Sequence, residues 1–213
     1  MDNLEVLGFP LGAWQTNCYI LATGSTCWLV DVGFEPETML DAVSERGLTP
    51  ERIVLTHAHV DHIAGLEQAR ERFPGVPVAI HESETEFLQR PELNLSAMLA
   101  EPITCTEPEE TLTHGQTLTL GEWPFEVRHV PGHSPGGVCL YQPKSNLAIV
   151  GDTLFAGSIG RHDFPTSDGP LLLQSIREQL LTLPDETSIL PGHGPASTIG
   201  TERQTNPFVG TNP

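Results

Sequence analysis

The sequence predicts an α/β fold, a single domain of two similar halves packed sheet to sheet. Three observations carry that expectation. Short apolar and β-branched runs alternate with amphipathic helical stretches in both halves. No low-complexity linker divides the chain. A chain of 213 residues also buries roughly 70% of its unfolded surface, enough for a sizeable core without disulfide staples.

Leu4–Phe9, Asn17–Leu21 and Cys27–Asp31 read as strands, separated by Gly12 and by Thr23-Gly24-Ser25. Pro36 to Arg46 reads as a helix. It has an early proline, Met39, Leu40 and Val43 on one face, and Gly47 just past its end. Arg52–Leu55 is a strand, Ile63–Arg72 a second amphipathic helix stopped by Pro74-Gly75, and Val76–Ile80 a further strand. Ser83 with Glu86 three residues on predicts a capping box for a short helix. Residues 90–116, with Pro91, Pro102, Pro108 and many acids, read as a surface excursion. Strands resume at Thr117–Leu120, Phe125–Val130, Val138–Tyr141 and Leu147–Val150. A helix from Pro170 to Leu183, the strand Ser188–Leu190 and a polar tail from about residue 200 complete the expected domain over residues 1–213.

Composition narrows the function classes. Ten basic residues face 28 acidic ones, for a net charge of −18. That balance argues against nucleic acid and anionic membranes as partners, since both need clustered Lys and Arg. No apolar run reaches the ~18 residues of a membrane span. The opening Met1-Asp2-Asn3-Leu4-Glu5 lacks the basic and apolar regions of a secretory signal. Cys18, Cys27, Cys105 and Cys139 form no C-x-x-C pair and read as reduced, structural thiols, which fits the cytoplasm.

One segment dominates the chemistry: Thr56-His57-Ala58-His59-Val60-Asp61-His62. Three of nine histidines fall within six residues, and a chance H-x-H-x-D-H match is roughly one in two thousand. Residues two apart on an extended segment project to one side, so His57 and His59 can share one metal ion. Asp61 and His62 fall where the chain turns into the next helix, which can aim them at a second. Three further loops each follow an apolar strand: Pro131-Gly132-His133-Ser134, Gly151-Asp152-Thr153 and Pro191-Gly192-His193-Gly194. Four strand ends therefore offer five imidazoles and two carboxylates, the nitrogen–oxygen set that zinc-class ions favour. His81, His114 and His129 stand alone and read as surface or hydrogen-bonded residues rather than ligands.

Together these motifs resemble the metallo-β-lactamase superfamily from about residue 15 to 208. Gly151-Asp152-Thr153-Leu154-Phe155, the stretch Gly157–Pro165, Gly194–Gly200 and Asn206-Pro207-Phe208 are similar to the short, single-domain glyoxalase II-like hydrolases of bacteria. The resemblance implies a four-layer αβ/βα sandwich, with two mixed sheets face to face and helices outside. It implies two divalent ions, zinc first, with iron and manganese fitting the same donors. Metal one would take His57, His59 and His133; metal two would take Asp61, His62 and His193; Asp152 would bridge. The implied reaction is hydrolysis of a glutathione-linked thioester, S-D-lactoylglutathione, to D-lactate and glutathione. A metal-bound hydroxide would attack, with Asp61 orienting it. Two divalent ions against two carboxylates and a hydroxide leave about one positive charge, which can draw an anionic acyl group locally.

Longer glyoxalase II enzymes add a helical domain whose basic side chains hold glutathione. Here the only basic residue after His193 is Arg203. Arg161 is then the remaining substrate-binding candidate, with structural pairing to Asp163 or Asp168 as its equal alternative. Two other activities stay open. Persulfide dioxygenases resemble the chain too and would use one iron on His57, His133 and Asp152, and a lactonase of the same fold fits the same donors.

Overall fold

The computed structural model describes residues 3–211. The chain falls into two compact units, one running to Leu112 with Thr119–Trp123, the other comprising Thr113–Leu118 and everything from Pro124 on. There are two six-stranded mixed sheets, the first within the first unit and the second mostly within the second.

In the first sheet, β1 (Glu5–Leu11), β2 (Thr16–Thr23) and β3 (Thr26–Val30) form an antiparallel meander. Then β4 (Thr49–Val54), β5 (Val78–His81) and β6 (Glu110–Leu112) add in parallel, giving the order β1 to β6. Parallel neighbours need crossovers, and the helices supply them. Between β3 and β4 the crossover is α1 (Glu37–Glu45), and between β4 and β5 it is α2 (Val60–Ile63) with α3 (Leu66–Arg72); residues 82–109, which include two 3-10 turns, connect β5 to β6. Helix α1 buries Met39, Leu40 and Val43, the face its spacing predicts. It ends where Gly47 adopts φ +64° and Leu48 N–H reaches back to Val43 O, a left-handed cap that a side chain would strain. The unit's core gathers Ile20, Leu29, Ile53, Leu55, Ile63 and Ile80 among others.

The second sheet has the order β14-β13-β10-β9-β8-β7. Its members are β7 (Thr117–Leu120), β8 (Trp123–His129), β9 (Val138–Gln142), β10 (Leu147–Gly151), β13 (Ser188–Pro191) and β14 (Ser197–Thr198). Only β10 and β13 run parallel. Helix α4 (Gly169–Ser175) lies in the connection between them. β9 and β10 are buried at every position, so both faces of the sheet are covered at these central strands, whereas β7 alternates exposed and buried.

Several elements differ from the sequence expectation. Residues 82–89 form a 3-10 helix whose cap is the His81 ring, accepting from Ser83 N–H, rather than a Ser83–Glu86 capping box. The tight 3-10 winding buries Glu84. The stretch 90–116 is not wholly a surface excursion. It contributes β6, and the buried Asn94 amide donates to Phe87 O (3.0 Å) and Ile103 O (3.1 Å), folding the loop back on itself. The helix expected over 170–183 is α4, capped by Asp168, followed by a π-helical turn at Ile176–Leu180. A two-strand hairpin, β11 (Leu154–Phe155) and β12 (Ser158–Ile159), was hidden in the Gly-rich stretch. The polar tail contains α5 (Ile199–Thr205), which buries Ile199 and Glu202.

Candidate metal centre

In the first unit, β4 delivers the H-x-H-x-D-H segment. The chain leaves the strand through Leu55, bends at Thr56 and reaches His59, which N-caps α2 with extended backbone at φ −69° and ψ 149°. Asp61 and His62 therefore lie in the first turn of α2, as their spacing predicts. The rings of His57 and His59 stand 4.8 Å apart edge to face, and those of His57 and His62 stand 4.1 Å apart. All four side chains are buried.

A set of hydrogen bonds fixes the chemistry of these rings. Buried Asp31 accepts from Thr56 N–H (2.7 Å), Thr56 Oγ1–H (2.7 Å) and His62 Nδ1 (2.8 Å). A carboxylate can only accept, so in the neutral ring the His62 proton sits on Nδ1 and Nε2 carries the lone pair. Thr56 spends its one hydroxyl proton on Asp31, so its oxygen accepts from His57 Nδ1 at 3.1 Å. His57 thus has the same tautomer. Thr16 Oγ1 donates to Asp61 Oδ2 at 2.9 Å, and the Glu84 carboxylate accepts Ala58 N–H at 2.6 Å. Glu84 so holds the backbone between the two histidines. Asp31 sits at φ +58°, a strained conformation of the kind that clusters at functional sites. Beside it, Gly33 comes so near Asp61 O that a Cβ would stand 2.7 Å away.

In the second unit, β8, β10 and β13 deliver His133, Asp152 and His193. Gly132 turns the first of these loops at φ +133°, where a Cβ would collide with Leu172 N at 2.3 Å. Asp168 N–H donates to Gly132 O (2.8 Å), and Ser167 Oγ–H to His133 O (2.6 Å). His133 Nδ1 donates to Arg161 O at 2.6 Å, again leaving the lone pair on Nε2. The register of β10 against β13 shifts between Ile149 and Gly151, a bulge that redirects the chain into Asp152.

The spacings in both units fit metal ligands better than hydrogen bonds. Asp152 Oδ2 stands 3.7 Å from His133 Nε2 and 3.5 Å from His193 Nε2; Asp61 Oδ2 stands 3.5 Å from His62 Nε2. These are long for N–H···O bonds. They match the ~3.4 Å separating two donors on a tetrahedral ion with bonds of about 2.1 Å. Imidazoles held through Nδ1, as those of His57, His62 and His133 are, together with carboxylates make a donor set of the kind that zinc-class ions take.

Arg161 contributes its carbonyl to His133, while its guanidinium is paired with Asp163 and lies 4.4 Å over the Phe164 ring. Of the two sequence expectations for this side chain, pairing with Asp163 is what is observed. That partner's hydrogen bond raises the Arg161 pKa, and Arg161 in turn holds the Asp163 carboxyl below its usual range. Asp168 caps α4 instead. His114, His129 and His162 make backbone hydrogen bonds. The sequence reading missed Asp31, Thr16 and Glu84. Asp31 carried a usable signal, because it follows the apolar run Trp28-Leu29-Val30 directly, an acid at a strand end close to a glycine as Asp152 is.

A model of the metallo-β-lactamase superfamily matches residues 11–193. "Probable metallo-hydrolase YqgX" of Bacillus subtilis is 41% identical over 94% of this chain and 95% of its own. "Hydroxyacylglutathione hydrolase GloC" of Haemophilus influenzae is 35% identical over 97% and 98%. Among solved structures, the BLEG-1 B3 metallo-β-lactamase superposes with a TM-score of 0.91 at 41% identity, covering 96% of this chain and 99% of its own. TTHA1623, in a di-iron-bound form, superposes with a TM-score of 0.85 at 38% identity, covering 95% and 99%.

Proposed function

Because the chain belongs to the metallo-β-lactamase superfamily and is a metallo-hydrolase of it, we propose that its two residue sets act as one domain with one binuclear centre. Its activity is that of a hydroxyacylglutathione hydrolase: S-D-lactoylglutathione and water give D-lactate and glutathione. His57, His59 and His133 would hold one ion and Asp61, His62 and His193 the other, with Asp152 available to both. The observation that carries the metal reading is Asp152 Oδ2 at ligand–ligand distance from two imidazoles. The end-to-end match with the hydroxyacylglutathione hydrolase supports the substrate.

When bound, the ions polarise the thioester carbonyl and acidify a water molecule. The chain's own residues do the rest. Thr16 anchors Asp61, whose carboxylate accepts a hydrogen bond from the attacking water and orients it. Asp31, Thr56 and the Arg161 carbonyl keep three imidazole protons on Nδ1. Attack forms the new C–O bond and breaks C–S; of the water's two protons, one ends on the departed thiolate and the other is released to solvent as the lactate carboxyl ionises. The leaving thiolate is stable near neutral pH, so no general acid is required.

A second reading is ring opening of a lactam or lactone, favoured by the 41% identical B3 metallo-β-lactamase. Elemental analysis paired with two assays separates them. About two metal ions per chain with steady thiol release from S-D-lactoylglutathione support the proposal. Opening of nitrocefin or a lactone without thiol release gives the site to the second reading, and activity on none of them overturns both.

A further inference from the structure

A cavity in the second unit is lined by none of the seven candidate metal ligands. It has a volume of about 480 Å³ and is walled by Ile159, Pro170, Leu173 and Phe208, with His162 and Arg177 as its polar members. That volume is in the range of small-molecule pockets. Its walls are prearranged: Asn206 Oδ1 accepts Phe208 N–H at 3.0 Å, and the Asn206 amide donates to Ser158 O at 2.9 Å. Phe208 is thus tied to the hairpin that carries Ile159, yet remains 47% exposed. Across the cavity, the π-helical turn Ile176–Leu180 carries Arg177, and such turns are frequent at functional sites.

The charge of Arg177 gives the cavity its chemistry. Every other arginine in this acidic chain stands in an ion pair with a carboxylate. Among the described residues, Arg177 has no carboxylate within 4.0 Å. A guanidinium at the rim of an apolar pocket recognises an anion joined to an apolar body, and planar carboxylates suit its fork geometry. We propose that this cavity binds an organic monocarboxylate, its apolar tail against Leu173 and Phe208 and its carboxylate on Arg177.

The site does not depend on the metal centre, so its test reads binding rather than turnover. Octanoate and its neutral analogue octanamide are titrated calorimetrically into the metal-loaded protein. Octanoate is expected to bind saturably. Octanamide, and octanoate with Arg177→Gln, are each expected to bind at least about tenfold more weakly, the scale of one charge-assisted pair. Phe208→Ala is expected to weaken both ligands. Arg177 is exposed, so the glutamine variant should keep the wild-type melting curve. Unsaturable heats overturn the proposal, as does octanoate binding indifferent to Arg177→Gln, the result a carboxylate seated on the metal ions would give.

Discussion

Replacing Asp31 with asparagine separates the roles of one residue that touches no substrate. The carboxylate accepts three hydrogen bonds, from Thr56 N–H, Thr56 Oγ1–H and His62 Nδ1. An asparagine oxygen can keep the Thr56 N–H bond, but its amide nitrogen then meets two groups that were donors. Thr56 can rotate its hydroxyl and accept. His62 can accept only by moving its proton to Nε2, the nitrogen assigned to the metal. The folded chain therefore has an inexpensive escape and the metal site has none. Exchanging charge-assisted bonds for neutral ones should cost about 1–3 kcal/mol of stability in the metal-free protein. At this chain length that lowers Tm by roughly 2–4 °C per kcal/mol. Metal affinity should fall about 10–100-fold, the usual penalty for losing a ligand's outer partner. Chelator competition measures the affinity, and thermal melting of the metal-free protein measures the stability. Wild-type metal affinity in Asp31→Asn would refute the tautomer argument whatever happens to Tm.

Three further outcomes can be measured. A methyl group at Gly160 would stand 1.8 Å from Asp152 O and 3.2 Å from His133 Nδ1, so Gly160→Ala should destabilise by about 3 kcal/mol and lose metal on dialysis. Urea unfolding and elemental analysis test both effects. Burial pushes the Cys27, Cys105 and Cys139 thiols up to about 12 and Cys18 well above its usual value. Iodoacetamide at pH 8 should therefore leave the native protein unlabelled, while all four free cysteines react in urea, as read by mass spectrometry. Partial burial pushes the Glu109 carboxyl up, but hydrogen bonds from Arg70 and Val78 N–H together hold it below its usual range. Its stabilising contribution is then present above the unfolded pKa of about 4.3 and is lost as pH falls through the lower folded value. Glu109→Gln should lower Tm slightly at pH 7 and match wild type in strong acid.

The longer strands, the two main crossover helices and the loops bearing histidines were legible because each rests on local pattern. Apolar runs bounded by glycine and proline mark strands, and H-x-H-x-D-H after such a run marks a strand end entering a helix. What escaped depends on contacts distant in sequence. Glu84 is buried only because a 3-10 turn carries it behind Ala58, 26 residues away, and nothing in Glu82–Gln89 advertises that. β6 is three residues long and owes its existence to the exposed edge of β5. The π turn after α4 likewise continues a helical pattern without a break that the sequence displays.

Arg161 shows how a residue can matter at a site without its charge. Its guanidinium is bidentate on Asp163 and stacked on Phe164, and it remains 64% exposed. An exposed pair of this kind contributes little to stability, and it presents a substrate with a nearly neutral group. The carbonyl of the same residue is what fixes the His133 tautomer, and any side chain can supply a carbonyl. Arg161→Gln should therefore leave metal content unchanged and shift KM for S-D-lactoylglutathione by no more than about threefold. Loss of a charge-assisted substrate contact would instead raise KM at least about tenfold. A tenfold rise with unchanged kcat would mean that the arginine leaves Asp163 for the substrate; a fall in kcat with loss of metal would mean that the side chain, not only the carbonyl, holds the His133 loop.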